Sequence, residues 1–179
     1  MEVAAMGYDI GNDSDGTSHI VWLQERSQSC GPACVYMIET MRAQMCLVGG
    51  EERVRQLMAL LPNGYTEANG TAAYTALAAA LQKANIQATA SYSTAVAAHF
   101  AAARFPFIAR VAWPSGGGHF IVCARRTRGG QIVCLDPWYG LNETAESGLP
   151  AYAAGNDARR GVCLRTPVGG SFSGHFITM

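Results

Sequence analysis

Apolar positions recur at helical spacing in the first half of the chain and gather into short strand-like runs in the second. Ala33, Cys34, Met37, Ile38, Met41 and Met45 mark one face of a helix of about 14 residues starting at Cys30. Pro32 falls in its first turn, where a missing N–H costs nothing, and the helix is expected to end near Leu47, before Gly49-Gly50. A second helix is expected over 51–61, with Val54, Leu57, Met58 and Leu61 on one side and Glu51 and Glu52 at its dipole-favoured start. A third is expected over Thr71–Asn85 (stripe Tyr74, Leu77, Ala78, Leu81), and a fourth from Ser93, as N-cap, to about Ala103.

Strands follow. Phe105–Ala112 and Gly118–Arg125 flank the loop Trp113-Pro-Ser-Gly-Gly-Gly, and Gly118–Arg125 and Gln131–Asp136 flank the tight-turn signal Thr127-Arg-Gly-Gly. Val162–Arg165 and His175–Met179 are expected to add two short strands, and Ile20–Leu23 to be extended. Residues 1–19 read as a polar lead-in, with 11–16 too turn-rich for an element, before a single domain over 20–179. Helices over about 20–103 precede an antiparallel sheet over about 104–179, which is the α+β pattern.

Length and composition agree with one packed domain: 179 residues, 49% hydrophobic and 15% charged. The 13 basic and 13 acidic side chains balance with no basic stripe, which argues against a nucleic-acid partner. Arg125-Arg126-Thr-Arg128 reads as a hydrated hairpin tip. The longest uncharged stretch, 84–103, is too polar for a membrane span, and the N-terminus lacks the basic and apolar regions of a Sec signal. A cytoplasmic protein is expected, or one exported by a dedicated secretion system. The six cysteines should then be mostly reduced thiols, and none has Cys-x-x-Cys spacing, so neither a metal nor another cofactor is expected.

Cys30 is the chemically distinctive residue. At a helix start, the dipole and free backbone N–H groups favour a thiolate and can hold an oxyanion. A thiolate nucleophile needs an imidazole partner and an acceptor to orient that imidazole. His119 begins a strand after a glycine loop, and Asp136 ends the partner strand before Pro137. If Arg128-Gly129 is the hairpin tip, Cys123 faces Cys134, Ile121 faces Asp136, and His119 faces Trp138. Asp136 then lies diagonally across from His119 on one face, an alignment that a one-residue shift at the turn would break. The other histidines fit less well: His99 sits on a helix, His19 lies in the lead-in, and only Phe-Ile-Thr-Met follows His175. A carboxamide shortly before the nucleophile can also serve the oxyanion, and spacing alone leaves Gln24 and Gln28 equivalent.

Three stretches resemble the papain-like clan, and within it the bacteriocin-processing peptidases that cut after double-glycine leaders. They are Gln24-Glu-Arg-Ser-Gln-Ser-Cys30-Gly-Pro-Ala-Cys, Gly118-His119-Phe-Ile-Val, and Val133-Cys-Leu-Asp136-Pro137-Trp-Tyr-Gly140. The resemblance implies a papain-like fold and a Cys30–His119–Asp136 triad acting on a protein or peptide substrate. It also selects Gln24 for the oxyanion hole, and Gly31, Gly118 and Trp138 are expected to line the substrate site. The chain departs from the family in having Ser29 where Asp is frequent, no ABC-exporter spans, no P-loop, and an unmatched alanine-rich stretch before His119. Cleavage after Gly-Gly or a stand-alone effector protease both fit. The same triad also suits a deamidase or acyl transferase, and the fold alone suits a non-catalytic peptide-binding module. Gly49-Gly50 and Gly169-Gly170 read as turns rather than self-processing sites.

Overall fold

The structure is a computed structural model describing residues 7–179, so the readings of residues 1–6, as lead-in and as lacking a signal, lie outside it. The rest of the lead-in is ordered: β1 (Tyr8–Asn12) and β2 (Ser18–Trp22) form an antiparallel hairpin. Its turn is built on Asp13, which accepts from the backbone N–H groups of Asp15 and Thr17 and from His19 Nε2. The expected hydrated basic tip docks here instead. Arg125 reaches Asp13 at 2.5 Å and Asp15 at 2.6 Å, and Arg128 N–H donates to Asp15.

Four α-helices occur among the described residues: α1 (Cys30–Ala43), α2 (Gly50–Ala59), α3 (Thr75–Lys83) and α4 (Val96–Ala102). The last three are shorter than expected, and α1 has the expected 14 residues but ends before Leu47. In α1 the chain turns left-handed at Gln44, φ 54°, before reaching Leu47. Thr71, expected to start α3, instead forms part of a two-residue ladder between β3 (Tyr65–Thr66) and β4 (Gly70–Thr71). No described helix is long and apolar enough to cross a membrane.

The main sheet contains β5 (Thr89–Tyr92), β6 (Phe107–Ala112), β7 (Gly118–Arg126), β8 (Gln131–Asp136), β9 (Gly140–Ala145), β10 (Ala151–Asp157) and β11 (Val162–Thr178). Strand order is β10-β11-β6-β7-β8-β9, with β5 also on β11, and every pairing is antiparallel. Instead of two short strands at the C-terminus there is one 17-residue strand that changes partners along its length. Gly169-Gly170 therefore lies within a strand rather than a turn.

The sheet curls until its outer strands meet, with Asn142 Nδ2 of β9 donating to the Tyr152 hydroxyl of β10. Period-two alternation then separates two cores. Ile121, Cys123, Ile132 and Cys134 point into the curl and join Phe107, Tyr152, Phe172, Phe176 and Phe100 of α4. Phe120, Val122, Val133 and Leu135 point outward to Val35, Ile38, Leu77 and Leu81 of the helices. Each fully buried side chain of this size contributes roughly 1.5–3 kcal/mol.

The β7–β8 hairpin contains a correction of register. Beside the turn, Arg125 pairs with Val133 and Arg126 with Ile132, one residue off the expected alignment. A bulge at Ala124 absorbs that residue, so Cys123 faces Cys134 and Val122 faces Leu135 as the Arg128-Gly129 tip predicts.

Candidate active site

Cys30 stands at the first turn of α1, half-exposed, where the helix presents N–H groups without a side-chain cap. Among the described residues, none accepts a hydrogen bond from the Cys30 or Gly31 N–H. Against this helix start lies the mouth of the curled sheet. There His119 Nε2, at the start of β7, donates to Asp136 Oδ1 at 2.7 Å across the corrected register. With Nε2 occupied, Nδ1 is the ring nitrogen left free, and the Cys30 thiol is near enough to help raise the His119 pKa.

Asp136 is fully buried, and its carboxylate is well supplied with donors. Besides His119, Oδ1 accepts from the backbone N–H groups of Trp138 and Tyr139 at 2.8 and 2.9 Å, and Oδ2 accepts from the Tyr152 hydroxyl at 2.5 Å. Pro137 explains the geometry: it ends the ladder and folds the next two N–H groups back onto the carboxylate. Burial by itself would raise the Asp136 pKa, yet the His119 charge and these hydrogen bonds hold it below the usual value. For His119, burial opposes the charged form, but Asp136 and then Cys30 outweigh it and raise the pKa to about 10. An imidazolium beside a sulfur at neutral pH is the arrangement a thiolate nucleophile requires.

The remaining expected site residues are placed differently. Gln24 is buried, and its backbone N–H donates to Pro137 O at 2.8 Å, tying the loop before Cys30 to the turn after Asp136. Its carboxamide gives one N–H to Arg26 O at 2.7 Å and the other to Ser27 O at 3.0 Å, while Oε1 has no partner among the described residues. Gln28 is exposed. At Gly31, Thr71 Oγ1 and the Phe120 ring occupy the space a side chain would take. Gly118 is exposed, with the Arg110 guanidinium lying over it. Trp138 is engaged locally, its indole N–H donating to Asp157 and its ring lying 4.4 Å from the Arg159 guanidinium carbon.

Other groups at this place had no signal in the sequence. Tyr152 reaches Asp136 only because the sheet curls, and Trp113 stacks on His119 with ring centroids 5.8 Å apart. The loop into Cys30 rests on an ionic cluster. Arg55 meets Glu67 at 2.9 Å, Glu25 at 2.7 Å and Glu51 at 3.2 Å, and Glu51 also accepts from the Glu25 N–H. Burial raises the Glu51 pKa to about 7. All six cysteines are free thiols, and no group of three or more metal-binding side chains occurs among the described residues. His99 stacks on Phe176 at 3.7 Å, a packing role.

A mixed α/β chain with four helices and a large antiparallel sheet thus presents a cysteine at a helix start beside a buried His–Asp pair. No family model and no curated protein sequence matches the chain. Among solved structures 14 chains match. One is the peptidase domain of Streptococcus ComA, a bi-functional ABC transporter involved in a quorum sensing pathway. That likeness has a TM-score of 0.57 at 13% identity, over 88% of this chain and 94% of that one. It shows a shared fold.

Proposed function

We propose that the protein is a cysteine peptidase, and the observation that carries this reading is the buried His119–Asp136 pair opposite Cys30 at the start of α1. Cys30 Sγ attacks the substrate carbonyl carbon, and the carbonyl electrons move onto oxygen. The Cys30 N–H meets that oxyanion. Gln24 joins it by releasing the N–H now given to Ser27, the longer of its two bonds. As the C–N bond breaks, His119 Nδ1 protonates the leaving amine, and a thioester remains. His119 then takes a proton from water, whose oxygen attacks the thioester and releases the acid. Asp136 stays ionised throughout, holding the imidazole through Nε2.

The fold shared with a transporter's peptidase domain supports a peptide substrate, with cleavage after Gly-Gly or use as a stand-alone effector protease as the finer forms of the reading. Brief treatment with limiting iodoacetamide near pH 7, followed by mass spectrometry, tests it. Cys30 should be modified ahead of the exposed Cys46 and Cys163, and that preference should vanish in His119→Ala. Equal labelling of the three thiols in the unmutated protein would overturn the assignment.

A further inference from the structure

One group beside this site is built like a receptor yet is used by no step above. Arg110 of β6 pairs across the ladder with Phe120, whose ring packs at Gly31, and its guanidinium lies over Gly118, the residue before His119. It is half-buried, and among the described residues no carboxylate pairs with it.

The neighbouring strand is shaped around this cation. Between Phe172 and Phe176 the β6–β11 register is broken by a bulge, a feature that re-aims side chains next to functional sites. Within it, the Ser173 hydroxyl donates to the Arg110 carbonyl at 3.1 Å and lies 3.0 Å from His175 Nδ1. The His175 ring is held between Tyr74 and Tyr92, at centroid distances of 4.7 and 4.8 Å. Burial, and then the Arg110 charge, lowers the His175 pKa, so at neutral pH Arg110 has no cationic competitor in this group. The guanidinium, lying over Gly118, is a planar fork suited to bidentate pairing with a carboxylate.

We propose that Arg110, backed by His175 and its two flanking tyrosines, is the recognition group for a carboxylate of the substrate. The enzyme then selects peptides with an acidic side chain, or a free C-terminal carboxylate, near the scissile bond. This specificity rests on the peptidase reading above, and its test is chosen to fail separately.

The test compares alkylation of Cys30 by iodoacetate and by iodoacetamide, reagents of nearly equal size that differ in one carboxylate. Both rates are measured in the unmutated protein, Arg110→Met, Arg110→Lys and the distant control Arg42→Met. The iodoacetate-to-iodoacetamide ratio should fall about tenfold in Arg110→Met, the loss of about 1.4 kcal/mol of discrimination. It should be largely kept in Arg110→Lys and unchanged in Arg42→Met. Matched peptide libraries then identify the source of the carboxylate. Glu-over-Gln preference marks an acidic side chain, and free-acid-over-amide preference marks the C-terminus. An unchanged ratio in Arg110→Met, with Cys30 still selectively alkylated by iodoacetamide, overturns the specificity and leaves the peptidase reading intact. Loss of selective Cys30 alkylation in the unmutated protein overturns both.

Discussion

Two buried ionic groups flank Cys30, and they are built to opposite ends. On the sheet side, one imidazole meets one carboxylate, every acceptor position that Asp136 uses is supplied, and one His119 nitrogen is left open toward the sulfur. Beneath the loop, one guanidinium meets three carboxylates: two of its nitrogens donate to Glu67 and Glu25, and Nε lies 3.2 Å from Glu51 without a hydrogen bond. Arg55 thereby joins α2, the loop before Cys30 and the β3–β4 segment in one fixed frame. The first group keeps one ring nitrogen open inside a buried pocket, whereas the second ties three chain segments together. Their electrostatics differ in the same sense. His119 and Asp136 stabilise each other's charged forms, whereas the Arg55 cluster has an excess of acid that burial resolves by raising Glu51 to about 7.

Asp136→Asn should have the largest effect, because it removes the charge that holds the imidazolium. Peptide turnover is expected to fall roughly 10⁴-fold. The pH profile of Cys30 alkylation checks the cause, since its His119-dependent limb should move from near 10 toward 6.5. An unmoved limb would break the distinction drawn between the two groups.

Arg55→Met strands the carboxyl groups of Glu51 and Glu25, and urea unfolding should register a loss of about 3–5 kcal/mol. Turnover per folded molecule should fall no more than about tenfold, the signature of a frame rather than a reacting group. Glu51→Gln sharpens the same point through pH. Folded Glu51 keeps its proton to about 7 and unfolded Glu51 only to 4.5, so the folded state binds more protons between those values. Its contribution is most favourable below 4.5 and is lost as pH rises through 7. The stability of the unmutated protein relative to Glu51→Gln should therefore decline by about 3 kcal/mol over that window, measured by denaturant titration at each pH. Tyr152→Phe comes last. Asp136 loses a single donor, so stability should drop by about 1–2 kcal/mol and turnover by several-fold, with the alkylation limb shifted only slightly.

Local signals carried much of this molecule. The α1 start was legible because Pro32 and the apolar stripe from Ala33 agree on one boundary, and β8 because turn residues bracket it on both sides. Non-local partners hid the rest. The Gly-Asn-Asp-Ser-Asp-Gly segment reads as loop until Arg125 and Arg128, more than a hundred residues away, neutralise its acids. Pro167, Gly169 and Gly170 argue for a break in β11, yet the strand runs through because it passes from β10 to β6 there. Around Cys30, residue types with fixed chemistry were visible, whereas Tyr152, Arg110 and the Arg55 cluster depend on the curl of the sheet and on packing between separate elements.

The bulge at Ala124 makes the His119–Asp136 pairing a matter of parity. Turn and bulge each contribute one residue, and only their combination is even. A one-residue change in the 127–130 tip that shifts the strand register would turn His119 and Asp136 to opposite faces, even with every side chain of the proposed triad intact. Flattening the bulge with Ala124 retained would do the same, whereas deleting Ala124 would keep Cys123 opposite Cys134. Losing a tip residue and the bulge together would restore the match. Register-shifting length changes in this hairpin are therefore tolerated in compensating pairs, and a His–Asp pair more than five residues from the tip sets that rule.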